Sequence, residues 1–203
     1  MILTARWLFA SLLALLLTGC GYNQIQTLDE QVKATWSQAL NQYERRADLV
    51  PKLVSSVDAY MKQERRVLTD VTEARAKVGQ INVSINDLDD PALMQRFNQA
   101  QGELSSALSR LMAVSESYPD LKSDGVVRDL MTQLEGTENR IATERGRFVQ
   151  AVQAYNQFIR QFPAVITAKV MGYKVKDNYG VERQSEIMRN PEVRFDMPAD
   201  KAN

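Results

Sequence analysis

The stretch Leu93-Met-Gln-Arg-Phe97-Asn-Gln-Ala100-Gln-Gly-Glu-Leu104-Ser-Ser-Ala107-Leu-Ser-Arg-Leu111-Met-Ala-Val114-Ser-Glu-Ser-Tyr118 decides the fold. Leu93, Phe97, Ala100, Leu104, Ala107, Leu111, Val114 and Tyr118 follow one another in steps of three and four, with no polar interruption. A strand would alternate with period two. Only an α-helix, with 3.6 residues per turn, brings these side chains onto one face. Asp89 or Asp90 followed by Pro91 supplies the start signal: a side chain that accepts from free amides, then a residue with none to satisfy. Pro119 ends the stripe, and Lys122-Ser-Asp-Gly125 supplies the turn.

The same period extends both ways. Downstream runs Val127, Leu130, Leu134, Thr137, Ile141, Glu144, Phe148, Ala151, Tyr155, Phe158 and Phe162, up to Pro163. Upstream runs Ile25, Val32, Trp36, Ala39, Tyr43, Val50, Leu53, Val57, Tyr60, Val67, Val71, Ala74, Val78 and Ile81, with Asp29, Arg46 and Glu64 polar in the same register. Pro51 lies inside this first stripe, where it removes a backbone donor and crowds the preceding turn, so a kink or a break is expected there. Gln80–Asp90 reads as a connection. The expected architecture is all-α: an elongated antiparallel up-and-down bundle of three long helices, or four if the first splits at Pro51. Gly172 closes a last helical turn. Residues 173–203 lose the period and are read as an extended or partly disordered tail, with Pro191-Glu-Val-Arg-Phe195 a short extended piece.

Composition narrows the chemistry. There are 25 Lys+Arg against 25 Asp+Glu, no His and one Cys in 203 residues. Without His there is no imidazole base and no His-ligated metal. One Cys allows neither an internal disulfide nor a thiolate cage. A zero net charge argues against nucleic acid, which selects a basic excess. Neither a Gly-rich phosphate loop nor an EF-hand spacing occurs. No cofactor or metal is expected.

The N-terminus reads as an address. Arg6 precedes an apolar run from Trp7 to Leu17 broken only by Ser11. As a helix that run measures about 16 Å, about half the hydrocarbon thickness, which suits a signal-peptide core better than a span. Leu17-Thr18-Gly19-Cys20 then resembles the bacterial lipoprotein signal, in which the cysteine thiol is acylated and the peptide is cut before it. On that reading residues 1–19 are a removed signal, 20–24 the lipidated anchor and linker, 25–172 the helical domain and 173–203 the tail. The bilayer is a partner through acylated Cys20, and the domain faces the envelope space. Gly21, where Asp would suggest inner-membrane retention, favours the outer membrane. Removal of the signal takes away Arg6 and no acid, so no charge-driven attachment follows from net charge.

Residues 22–57, from Tyr22-Asn-Gln-Ile25 through Trp36 and Tyr43-Glu-Arg-Arg-Ala-Asp48-Leu-Val-Pro51 to Val57, resemble the opening of the LemA family. Val71-Thr-Glu-Ala-Arg75, Leu104-Ser-Ser-Ala-Leu-Ser-Arg-Leu111, Tyr118-Pro-Asp-Leu121, Glu138-Asn-Arg-Ile-Ala142, Ala154-Tyr-Asn156 and Phe162-Pro163 resemble its later blocks, in consistent order. The resemblance implies a membrane-anchored antiparallel helical bundle outside the cytoplasm, with no established enzyme activity. Many relatives look anchored by a transmembrane helix, whereas here a short apolar run ends in Leu-Thr-Gly-Cys.

Two groups of residues are singled out as candidate sites. Arg46, Glu64, Thr137 and Glu144 interrupt the apolar seams, and a buried charge must be paired, so they could form an internal polar layer that fixes register. The alternative for Glu64 and Glu144 is a carboxylate pair for acid–base chemistry. Tyr43, Arg45, Arg46, Asp48 and Pro51 combine both charge signs with a ring and a helix irregularity and form the candidate partner-binding face. Its plain alternative is a solvated helix with Arg45 and Asp48 paired at i,i+3. Arg65-Arg66 reads as a solvated face. Asn139 and Asn156 read as hydrogen-bonding groups within the bundle. Tyr118-Pro119 and Phe162-Pro163 read as helix ends with aromatic staples. The leading functional expectation is a non-catalytic scaffold or interaction module with an envelope protein partner. A periplasmic holdase or protease accessory comes second, and a carboxylate-dependent hydrolase third.

Overall fold

A computed structural model describes residues 2–178, with side chains from residue 21 onward except at Asn86. The described residues form six α-helices: α1 (Ile2–Val57), α2 (Arg65–Gly79), α3 (Pro91–Ser115), α4 (Pro119–Ser123), α5 (Gly125–Arg160) and α6 (Ala164–Met171). A 3-10 turn spans Ile85–Asp89, and no strand occurs among these residues. The expected removal of residues 1–19, the side chain of Cys20 and the extended piece at 191–195 lie outside the described residues or side chains.

The first stripe does divide, but not at Pro51. Helix α1 continues through the proline to Val57, and the chain reverses over Asp58–Glu64 instead. Pro51 points its ring outward and leaves the Ala47 carbonyl, four residues back, without its usual amide donor. The Arg75 guanidinium on α2 donates to that carbonyl at 3.4 Å. The lost bond is thus partly replaced from a neighbouring helix. The reversal itself contains no Gly or Pro. It is held by tertiary contacts: Met61 is fully buried, Tyr60 turns outward and donates its hydroxyl to Asp124 at 2.9 Å, and Tyr118 donates to Glu64 at 3.5 Å. Tyr60 was expected in the seam and is out of it for this reason.

Two further expectations are corrected. Residues after Pro119 form the short helix α4 rather than open turn, and its Leu121 is buried. Phe162 is 80% exposed and staples nothing, while Ile159 takes the seam position. Asp90 caps α3 by accepting from the amides of Ala92 and Leu93, and Asp124 caps α5 through Val126 and Val127. Gly172 ends α6 at φ +76°, a left-handed conformation that only glycine adopts without strain.

Helix directions follow from paired residues. Trp36 meets Phe148, Arg46 meets Glu138, and Tyr60 meets Asp124, so α1 and α5 run antiparallel in one continuous register. Lys77 meets Glu103 and Arg110 meets Asp70, so α2 and α3 do likewise. The helical bundle contains two apolar cores. One gathers Leu49–Val57 of α1, Met61 of the reversal, Leu68–Ala74 of α2, Leu104–Leu111 of α3, Leu121 of α4 and Val127–Leu134 of α5. The other gathers Ile25–Tyr43 of α1, Phe97 of α3, Ile141–Ile159 of α5 and Ala168 of α6.

Candidate functional site

The two cores stop short of each other at residue 46 on α1, residue 101 on α3 and residue 137 on α5. Into this gap Arg46 projects, 1% exposed. One terminal nitrogen donates to Ser105 Oγ at 2.6 Å and to Glu138 Oε1 at 2.5 Å; the other donates to the side-chain oxygen of Gln101 and, at 3.4 Å, to its carbonyl. The guanidinium lies 5.5 Å from the Tyr43 ring centroid. Its Nε has no acceptor. Thr137, fully buried, donates to the Gln133 carbonyl and accepts from Arg140, whose Nε reaches Gln42 on α1. A cleft of about 140 Å³ opens beside the layer between Asn98, Ser105, Glu138 and Arg145.

These groups do one thing chemically. A guanidinium and a carboxylate neutralise each other across the helices, and Ser105 joins them by accepting from Arg46 and donating to the second Glu138 oxygen at 3.5 Å. A buried polar layer adds little net stability but makes every other register of the helices costly, because a slip would bury Arg46 among leucines.

The residues singled out from sequence are not all here. Arg46 and Thr137 line the gap; Glu64 and Glu144 do not. Glu64 sits at the α1–α2 corner beside Tyr118, within reach of the first core. Glu144 lies on α5 beside the second core and pairs with Arg147 at 2.8 Å, its other oxygen buried and unpartnered. The two carboxylates share no site. The partner-binding face also divides, since residues one helical turn apart point inward while those between point out. Tyr43 and Arg46 are buried, against expectation for a contact surface; Arg45, Asp48 and Pro51 are exposed. Gln101, Ser105 and Glu138 were missed. The usable signal was Arg46 itself: a cation in a seam needs an acceptor on a facing helix, and Glu138 adjoins Thr137 in the α5 seam.

A second polar cluster fastens residues 173–178 back onto α1 and α5. The Asn156 side-chain amide donates to the Lys176 carbonyl at 2.7 Å, and the Lys176 amide donates to Asn156 Oδ1 at 2.8 Å. The Lys176 ammonium then reaches Asp29 at 3.2 Å and Asp89 at 3.4 Å, 5.4 Å from the Tyr155 ring centroid. Lys33 holds the other Asp29 oxygen at 2.8 Å. Burial, followed by the charges of Asp29 and its neighbours, pushes the Tyr155 hydroxyl up to about 12. Burial raises the Asp29 carboxyl, but hydrogen bonds from Lys33 and Lys176 outweigh it and hold the group below its ordinary 3.8.

That shift has a pH signature. A depressed carboxyl favours the folded form above its ordinary value and loses this contribution as pH falls through its folded value. Acidification should therefore loosen 173–178 before the helices. Protection of the Lys176 amide, measured against its intrinsic exchange rate at each pH, should fall below pH 3.8 while α1 and α5 amides stay protected. Protection of Lys176 that persists to global unfolding would show that Asn156 alone holds the segment.

Comparison with known proteins places this geometry. A model described as the LemA family matches residues 35–195. The magnetosome protein MamQ of Magnetospirillum gryphiswaldense is 28% identical over 169 residues, covering 75% of this chain and 62% of that protein. Magnetosome proteins MamQ 1 and MamQ 2 of Paramagnetospirillum magneticum match with the same identity and coverage. The chain thus spans about 62% of the length of the curated relatives it matches. With its match running from within α1, through both cores and the polar layer, and past α6, the chain belongs to the LemA family.

Proposed function

We propose that this LemA-family chain is a lipid-anchored envelope protein whose helical bundle acts as a non-catalytic scaffold or interaction module. The observation that carries the reading is α1, an uninterrupted helix from Ile2 to Val57. A chain acylated at Cys20 would leave the membrane already helical, with no hinge between anchor and domain. Leu17-Thr18-Gly19-Cys20 supports the attachment, and Gly21 supports the outer membrane over the inner. Among the described residues no helix is long and apolar enough to cross a membrane. The elongated up-and-down arrangement belongs to the same reading, with an envelope protein as partner at the exposed Arg45, Asp48 and Pro51.

Cys20→Ser should block both lipid labelling and processing, because on this reading the thiol is the acyl acceptor and the cut falls just before it. A variant that is still labelled and processed normally would defeat the anchor. Crosslinking in intact cells from Arg45 and Asp48, compared with the Gly79–Pro91 connection, tests the module. Recovery of one specific protein from the first pair is expected. Recovery of none at native expression counts against a scaffold.

A further inference from the structure

The exposed large apolar side chains are unevenly placed. Phe162 (80%), Ile166 (53%), Val170 (79%) and Met171 (53%) crowd onto α6 and its entry. Ile166 and Val170 each lie two residues beyond Ala164 and Ala168, which is about 200° around a helix. Ala164 and Ala168 are buried against the bundle, so the Ile166 and Val170 face points directly away from it. This eight-residue helix is apolar on its inner and its outer face, with Lys169 its one charged residue.

Its position narrows what the outer face meets. Gly21 is buried under α6: a Cβ there would stand 3.4 Å from Thr167 Oγ1 and 3.5 Å from the Ala164 Cα. Helix α6 therefore touches α1 at the residue that follows Cys20. Charge points the same way. Residues 1–28 contain no Asp or Glu, and neither do residues 145–176, although the chain as a whole has 25. Both acid-free segments meet at this end of the bundle, where Arg160, Lys169 and Lys174 are exposed around the apolar face. Basic residues bordering an apolar helical face are the pattern of a helix lying in an anionic bilayer interface.

We propose that α6 is a second membrane contact, its Phe162–Ile166–Val170 face seated in the anionic bilayer surface that holds the chain's own N-terminus. This rests on the lipid-anchored reading. Acyl chains fix only a point; a neighbouring interfacial helix fixes the angle at which α1 leaves the surface. Net charge gives no hint of this, because the acids that balance it fall in other stretches of the sequence.

The test uses the full acylated chain reconstituted into vesicles containing phosphatidylglycerol. A photo-reactive benzoylphenylalanine replaces Ile166 in one sample and, as a distal control, exposed Val126 in another. Phospholipid adducts are expected from position 166 and not from 126. Lys169→Glu with Lys174→Glu, or vesicles of phosphatidylcholine alone, should bring the yield at 166 down towards that at 126. Flotation separates the two readings. A chain that does not float with the vesicles overturns the anchor and this inference with it. One that floats but gives no lipid adduct at 166 overturns this inference alone. Adducts at 166 to residues 179–203, or to a second copy, in place of lipid do the same.

Discussion

Trp36→Ala should destabilise the domain by about 3–5 kcal/mol, the usual range for emptying a large aromatic site in a packed core. Trp36 is fully buried, with its ring centroid 5.9 Å from Phe97 in an edge-on arrangement and 5.3 Å from Phe148. It joins α1, α3 and α5 at once, so no single helix can shift to close the space. Each aromatic pair adds about 0.5–1.5 kcal/mol beyond the area it buries. At about 2–4 °C per kcal/mol for a domain of this size, the melting temperature should fall by about 6–20 °C. Urea titration is the check: the midpoint should drop at unchanged slope. A loss below about 1 kcal/mol, far under the range for emptied core sites, would mean that the second core collapses around the gap.

Glu138→Leu should cost about 2–3 kcal/mol, at or below the low end for breaking a buried ion pair, because Glu138 is itself 33% exposed. The harm lies in what remains. Arg46 would stay at 1% exposure with Ser105 and Gln101 as acceptors but no counter-charge. Arg46→Met should cost less, since Glu138 can turn to water. The double variant should approach the parent, as an apolar pair of similar volume replaces the ionic one. A thermodynamic cycle over the four proteins reads the coupling, and strict additivity would show that the pair contributes nothing. Register offers a separate readout, because the double variant removes the penalty for sliding α1 along α5.

Long-period features were legible in the sequence, and single contacts were not. The α3 stripe is the clearest case: Phe97, Ala100, Leu104, Ala107 and Leu111 are all buried, because eight positions in one phase leave a helix only one way to face. Asp90 and Gly172 were legible as caps because each meets a local backbone need. Pro51 misled for a converse reason. Its cost is local, but the compensation comes from Arg75, which lies on another helix. The Asp58–Glu64 reversal was invisible since nothing in those seven residues breaks a helix; it is held by contacts far away in sequence, the buried seat of Met61 in the first core and the Tyr60 bond to Asp124. The polar layer was half legible. An arginine in an apolar seam announces a buried charge, yet the identity of its acceptors depends on the stagger between helices, which periodicity does not carry. Glu64 fell in the same phase only because the stripe was extended across a corner.

The unbroken course of α1 also sets a clearance. From Gly21 to Val57 it rises about 54 Å at 1.5 Å per residue. For a chain tethered at Cys20, anything gripping the α1–α2 corner is held off the lipid by that height, as by a gauge block. The gauge is not adjustable from one side. Trp36 with Phe148 and Arg46 with Glu138 peg α1 to α5 at two levels, so shortening either helix alone would drag a cation into an apolar layer. Evolution can change the standoff only by trimming both helices together, in whole turns.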